Sequence, residues 1–171
     1  DGGGNGIQPA SGSFTILVTA PASDVVAHLT LDEGSGTVAV DVSGSGNDGA
    51  HVNGPAYQSV SGDNSGMSLR FDGENDYLDL GTLDVNGSGL TLAIWLNADI
   101  YPSSVQDPRL ITKASGNRAS QHTFMLSTAE VGSDVRLFTR VRINNSTKSL
   151  TATSGNMSTG VWHHAAVTYD G

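Results

Sequence analysis

The side chains best suited to chemistry in this 171-residue chain are oxygen donors gathered in turns. Asp41 precedes Asn47 and Asp48 in a stretch of Ser and Gly, and Asp72 and Asp76 flank Gly73-Glu74-Asn75. Asp32 stands at the head of a third turn, Asp32-Glu33-Gly34-Ser35-Gly36. Calcium is bound by several hard oxygens from carboxylates, side-chain amides and carbonyls. Asp32, Asp41, Asn47, Asp72 and Asp76 are therefore the candidate ligands of a structural calcium ion. The spacing is not that of an EF-hand loop, and the terminal Glu does not fit. The same residues have a plainer use, because Asp and Asn favour turns and hydrogen-bond to nearby backbone.

A second grouping is cationic. Val135, Leu137, Thr139, Val141 and Ile143 alternate with Arg136, Phe138, Arg140 and Arg142, the pattern of a strand with two unlike faces. In a regular strand the three guanidiniums and the ring share one open face. Guanidinium pairs with planar and tetrahedral oxyanions and stacks on rings, which suits an anionic or sulfated sugar. The alternative is that these arginines pair with acids on neighbouring strands. Trp95 completes the set of candidate ligand-binding residues with Arg136, Phe138, Arg140 and Arg142.

Other chemistries lack their residues. Cysteine is absent, which excludes disulfides, thiolate metal sites and cysteine nucleophiles. His163 and His164 are adjacent in an expected strand and point to opposite faces, so they do not share one metal easily. His28, His51 and His122 are scattered. No Gly-x-Ser-x-Gly elbow or phosphate-binding glycine loop stands between a strand and a helix.

These groups need a scaffold of strands and turns. Twenty-two glycines, few aromatics and no amphipathic helical run point to an all-β chain. No apolar run approaches a membrane span. The formal charge is −9, unevenly placed. Residues 109–148 hold seven of the eight bases and only Glu130 and Asp134, or +5; the rest holds Arg70 and 15 acids, or −14. The acidic remainder argues against nucleic-acid binding.

Residues 1–23 read as linker and one strand, Ser13–Ala20, ended by Pro21. The main domain spans 24–171. Its expected strands are Val25–Leu31, Thr37–Val40, Ser68–Phe71, Tyr77–Leu80, Leu90–Asn97, Arg109–Lys113, His122–Ser127, Val135–Ile143, Ser149–Thr153 and Val161–Tyr169. In Leu90–Asn97, Leu90, Leu92, Ile94 and Leu96 make the apolar face, with Thr91, Ala93 and Trp95 opposite.

Four segments in order resemble one family. VVAHLTLDEGSGTVAVDVSGSGNDGAHVNG, SLRFDGENDYLDLG, LTLAIWLN and VWHHAAVTYDG are similar to the successive motifs of bacterial laminin-G-like domains. The resemblance covers residues 25 to 171. It implies an all-β, two-sheet antiparallel jelly-roll sandwich of the concanavalin A-like type. It also implies strands after Asp170-Gly171, beginning with a hairpin partner, so the sandwich is expected to be incomplete at the C-terminus. A fragment, or completion by a neighbouring chain or domain, accounts for that. Residues 1–23 resemble the end of an immunoglobulin-like repeat upstream; the alternative is that their strand joins the sandwich that follows.

The resemblance implies a calcium-assisted, carbohydrate-binding module of an extracellular or cell-surface multidomain protein, with a polysaccharide or glycoconjugate as partner. The alternative is a structural or adhesive repeat, or a subunit of a surface assembly. Trp95 and Trp162 fit sheet positions usual in the family, which gives Trp95 a structural role as its alternative. Glycanases on related sandwiches carry Glu-x-Asp-x-x-Glu on one strand. No such run occurs here, so no catalytic residue is expected.

Overall fold

The computed structural model describes residues 24–59, 66–85, 87–102, 108–116 and 118–171. The expected strand at Ser13–Ala20, with the rest of 1–23, lies outside the described residues. Eleven strands follow in order: β1 (Val38–Ala39), β2 (Gly49–Val52), β3 (Ala56–Gln58), β4 (Ser68–Arg70), β5 (Tyr77–Asp79), β6 (Leu90–Leu96), β7 (Arg109–Ala114), β8 (His122–Val131), β9 (Asp134–Ile143), β10 (Ser146–Thr151) and β11 (His163–Tyr169). A single 3-10 turn, Ala119–Gln121, precedes β8, and no α-helix occurs among the described residues.

All strand pairs are antiparallel. One sheet has the order β10-β9-β8-β7, a second β1-β2-β5; β11 pairs with β6 and β3 with β4. The β8–β9 and β9–β10 connections are two-residue hairpins. Asn144 and Asn145 take φ 48° and 63° in the second, which matches the turn to the strand twist.

The main core lies between the β6–β11 pair and the four-stranded sheet. Leu92 and Ala165 from the pair meet Phe124 and Leu126 of β8, with Ile94, Leu96, Val167, Ile111 and Leu137 around them. Each fully buried side chain of this size adds roughly 1.5–3 kcal/mol of apolar transfer free energy. The apolar face expected in β6 reaches this core through Leu90, Leu92, Ile94 and Leu96, and that of β9 through Leu137. β8 departs from alternation because both its faces are covered. Phe124 and Leu126 are buried toward the core, while Met125 and Ser127, at 0% exposure, are buried on the other side.

One expected strand is not formed. Val25–Leu31 makes only an isolated bridge, Leu29 to Asp41, and Leu31 has φ 62°. Its backbone is held by the turn at Asp41 instead of by a ladder. β2 and β3 have no counterpart among the expected strands; Gly49-Ala-His-Val and Ala56-Tyr-Gln are too short and mixed to show a period of two. The close approach of Asp32 to the backbone at residue 66 requires Gly there, since a Cβ would sit 2.2 Å from the Asp32 Oδ1 atom.

Candidate functional site

The outer face of β6 and β11 is an exposed ladder of three cross-strand pairs. Register sets Thr91 opposite Thr168, Ala93 opposite Ala166 and Trp95 opposite His164. These residues leave the sheet on the side away from Leu92 and Ala165, as period-two alternation dictates. The threonine hydroxyls lie 3.1 Å apart. The two alanines are exposed and small, leaving the middle of the ladder flat. Trp95 is 50% exposed, and its ring lies 5.1 Å from that of His164 at a 48° tilt. The result is an aromatic platform at one end and a hydroxyl pair at the other. His163 points elsewhere and pairs through Nε2 with the carbonyl of Ser158 at 3.1 Å.

The basic face of β9 is arranged differently from its expected open form. Arg136, Phe138, Arg140 and Arg142 are all half-buried. Met125 lies directly opposite Arg140, and Ser127 opposite Phe138, so the two fully buried residues share this face. Each guanidinium has partners within the chain. Arg136 donates to Asp134 Oδ2 at 2.7 Å and to the carbonyl of Thr153 at 2.9 Å. Arg140 lies 3.0 Å from the buried His122 Nδ1, with its guanidinium carbon 5.2 Å from the Phe138 ring centroid. Arg142 donates to the carbonyl of Ser120 and, at 3.1 Å, to Asn145 Oδ1. Trp95 stands on the outer face of a different sheet, so the five candidate ligand residues fall into two sites. Beside Arg142 is a hollow of about 290 Å³ lined by Thr123, Arg142, Asn144 and Asn145.

The oxygen-rich turns close on their own backbone. Asp41 is 8% exposed and accepts from the amides of His28, Ser43 and Asn47 and from the Ser43 hydroxyl, at 2.8–2.9 Å. Burial opposes its charge, but these four donors outweigh it and hold the carboxyl far below the usual carboxylate range. Asn47 donates its side-chain amide to the carbonyl of Val26 at 2.7 Å. Asp32 accepts from the Met67 amide at 2.8 Å. Asp72 caps the amides of Glu74 and Asn75, and Asp76 caps that of Asp72. Among the described residues no three His, Cys, Asp or Glu side chains gather to hold a metal ion. Calcium requires several oxygens with lone pairs directed at one point. The four aspartates instead direct oxygens at N–H and O–H donors in three separate turns, and Asn47 turns its amide nitrogen to the Val26 carbonyl, so the five do not converge on one ion.

One cluster has no counterpart in the sequence reading. Tyr57 donates its hydroxyl to Glu33 Oε2 at 2.8 Å and stands 3.4 Å from His51 Nε2. The other Glu33 oxygen accepts from the Val40 amide at 2.8 Å. Burial, the hydrogen bond to Glu33 and its charge push the Tyr57 hydroxyl up to about 12. Burial works against the Glu33 charge, yet the Val40 amide, the Tyr57 hydroxyl and nearby His51 bring its carboxyl below its ordinary value. The three come from separate elements, so no spacing could reveal them. The Trp95–His164 pairing was open to detection, through the antiparallel register of LTLAIWL with HHAAVTY.

Comparisons with known proteins agree with the two-layer antiparallel fold. No curated protein and no solved structure matched the chain. Residues 72–171, more than half of the chain, match the laminin-G-like family model described as the Concanavalin A-like lectin/glucanases superfamily. With the β6 and β11 motifs inside that match, the chain belongs to the Concanavalin A-like lectin/glucanases superfamily.

Proposed function

We propose that this domain is a non-catalytic carbohydrate-binding module of an extracellular multidomain protein, and that the β6–β11 outer face holds the polysaccharide. The observation that carries the reading is the half-exposed Trp95 packed on His164 at the end of a flat ladder. Pyranose rings present C–H faces that stack on indole, and their hydroxyls need polar partners at the edges. Trp95 supplies the first, and His164, Thr91 and Thr168 supply the second. Superfamily membership supports the same class of ligand.

The test is binding to a panel of polysaccharides by affinity electrophoresis, with the Trp95→Ala variant in parallel. The native chain is expected to be retarded by at least one polymer, and the variant to migrate freely through the same gel. Equal retardation of both forms would remove the reading.

A structural or adhesive role is favoured by a separate observation. Among the described residues β6 and β11 pair only with each other, so each has an edge not filled by a described strand. Such edges recruit strands from a neighbouring domain or chain. Light scattering across a concentration series, showing reversible self-association, would support it; a monomer throughout would leave the neighbouring domain as the source.

A further inference from the structure

We propose that the hollow at the β9–β10 hairpin is an oxyanion subsite for an acidic sugar, with Arg142 as its charged centre. The inference stands apart from the β6–β11 platform, which occupies another sheet. Three observations carry it.

First, Arg142 lacks a counter-ion. Its guanidinium donates to the carbonyl of Ser120 and to Asn145 Oδ1, both neutral acceptors. Among the described residues no carboxylate lies within ion-pair distance of it, whereas Arg70, Lys113 and Arg136 each have one. Its buried Nε–H also has no hydrogen-bond partner among the described residues. A half-buried guanidinium held only by neutral acceptors, in the stretch 109–148 of formal charge +5, is a place where an anion is favoured.

Second, the chemistry around it suits a sugar. The hollow of about 290 Å³ is lined by a hydroxyl, Thr123, two amides, Asn144 and Asn145, and the guanidinium. Amides and hydroxyls both donate and accept, which matches the mixed donor and acceptor character of sugar hydroxyls. The volume is near the lower bound for small-molecule sites.

Third, the position is built. Asn144 and Asn145 take φ 48° and 63°, the left-handed turn conformation that Asn adopts readily, which holds the hairpin tip in one shape. The chain places amide side chains there, and one of them orients Arg142. The Ser120 carbonyl fixes the guanidinium from the other side.

The experiment is an NMR titration of the isotope-labelled chain with sodium glucuronate, glucose 6-sulfate, methyl glucoside and sodium sulfate. Glucuronate, glucose 6-sulfate or both are expected to shift the resonances of Thr123, Arg142, Asn144 and Asn145. A response to glucuronate alone identifies a carboxylate sugar, and one to glucose 6-sulfate alone a sulfate ester. Arg142→Gln is expected to weaken that binding by about tenfold or more. Asn145→Gly preserves the turn, removes the orienting amide and is expected to weaken it less. Trp95→Ala is expected to leave these shifts intact, so that failure of the platform reading is separable from failure here. The proposal is overturned if neither acidic sugar shifts these resonances, or if methyl glucoside shifts them equally. It is also overturned if inorganic sulfate binds as tightly as the sugars, or if acidic-sugar binding is unchanged in folded Arg142→Gln and Asn145→Gly.

Discussion

Trp95 and His164 face each other across the β6–β11 ladder, their ring centroids 5.1 Å apart on the side of the sheet turned away from the core. A large ring left half in water contributes little to the fold at that spot. Trp95→Ala is therefore expected to change the melting temperature by about 2 °C or less while abolishing polysaccharide retention. His164→Ala is expected to give intermediate retention, because it removes the rest on which the indole leans. Differential scanning fluorimetry alongside affinity electrophoresis checks both; a large loss of stability in Trp95→Ala would assign the ring a structural role.

Asp41 is a stability residue with a defined acid response. Asp41→Ala deprives three backbone amides and one hydroxyl of their acceptor, with an expected loss of about 2–4 kcal/mol. The folded carboxyl lies below its ordinary value, so the unfolded chain binds the proton more readily. Its stabilisation is complete above the usual carboxylate range and is lost as pH falls from about 4 toward the folded value. Urea unfolding between neutral and acid pH should show a shallower acid slope for Asp41→Asn than for the native chain.

Tyr57 gives the mirror case at high pH. Its folded value of about 12 lies above the ordinary tyrosine value of 10.0. The stabilisation is present below the ordinary value and is lost as pH rises through about 12. Ultraviolet titration of the four tyrosines should show a group ionising at about 12 that is lost in Tyr57→Phe, while Tyr101, which burial also raises, keeps its late ionisation in both forms. Titration of that variant identical to the native curve would contradict the Glu33 hydrogen bond.

Calcium is expected to leave this chain unchanged. The oxygens of Asp41 are occupied by protein donors, and Asp32, Asp72 and Asp76 each serve a different stretch of backbone. Thermal melts with excess calcium and with chelator should superimpose. A rise of several degrees in calcium would show that these turns open to bind the ion.

Leu126 is at the centre of the packed layers, at 0% exposure against Leu92 and Ala165. Leu126→Ala is expected to cost about 2–5 kcal/mol through lost burial and the cavity left behind. Urea denaturation monitored by tryptophan fluorescence checks it.

The parts of the fold legible in the sequence are those with a long, clean period. β6 and β9 run over seven and ten residues, and the core holds Leu90, Leu92, Ile94 and Leu96 from the expected face of one and Leu137 from that of the other. β8 was legible as a strand over His122–Ser127 but shorter than it is, because Thr128-Ala129-Glu130-Val131 carries no apolar alternation to extend it. Val25–Leu31 shows the opposite error. Its alternation is that of a strand, yet its backbone bonds to the turn after it, with His28 donating to Asp41 and Val25, Val26 and His28 accepting from Ser45, Asn47 and Val42, where a ladder was expected.

The candidate sites were legible by residue type and not by arrangement. The sequence by itself determined the all-β class, the family motifs and the side of β6 on which Trp95 lies, because alternation and local turns depend only on near neighbours along the chain. Tertiary structure alone decided what each polar group faces. It set His164 against Trp95 through cross-strand register, turned the acids onto backbone donors, and separated Trp95 from Arg136, Phe138, Arg140 and Arg142 onto different sheets. It also left Arg142 without a carboxylate while Arg136 received one. Hydrogen bonds and ion pairs are short-range in space and indifferent to sequence distance, so such choices are made only when the strands are brought together.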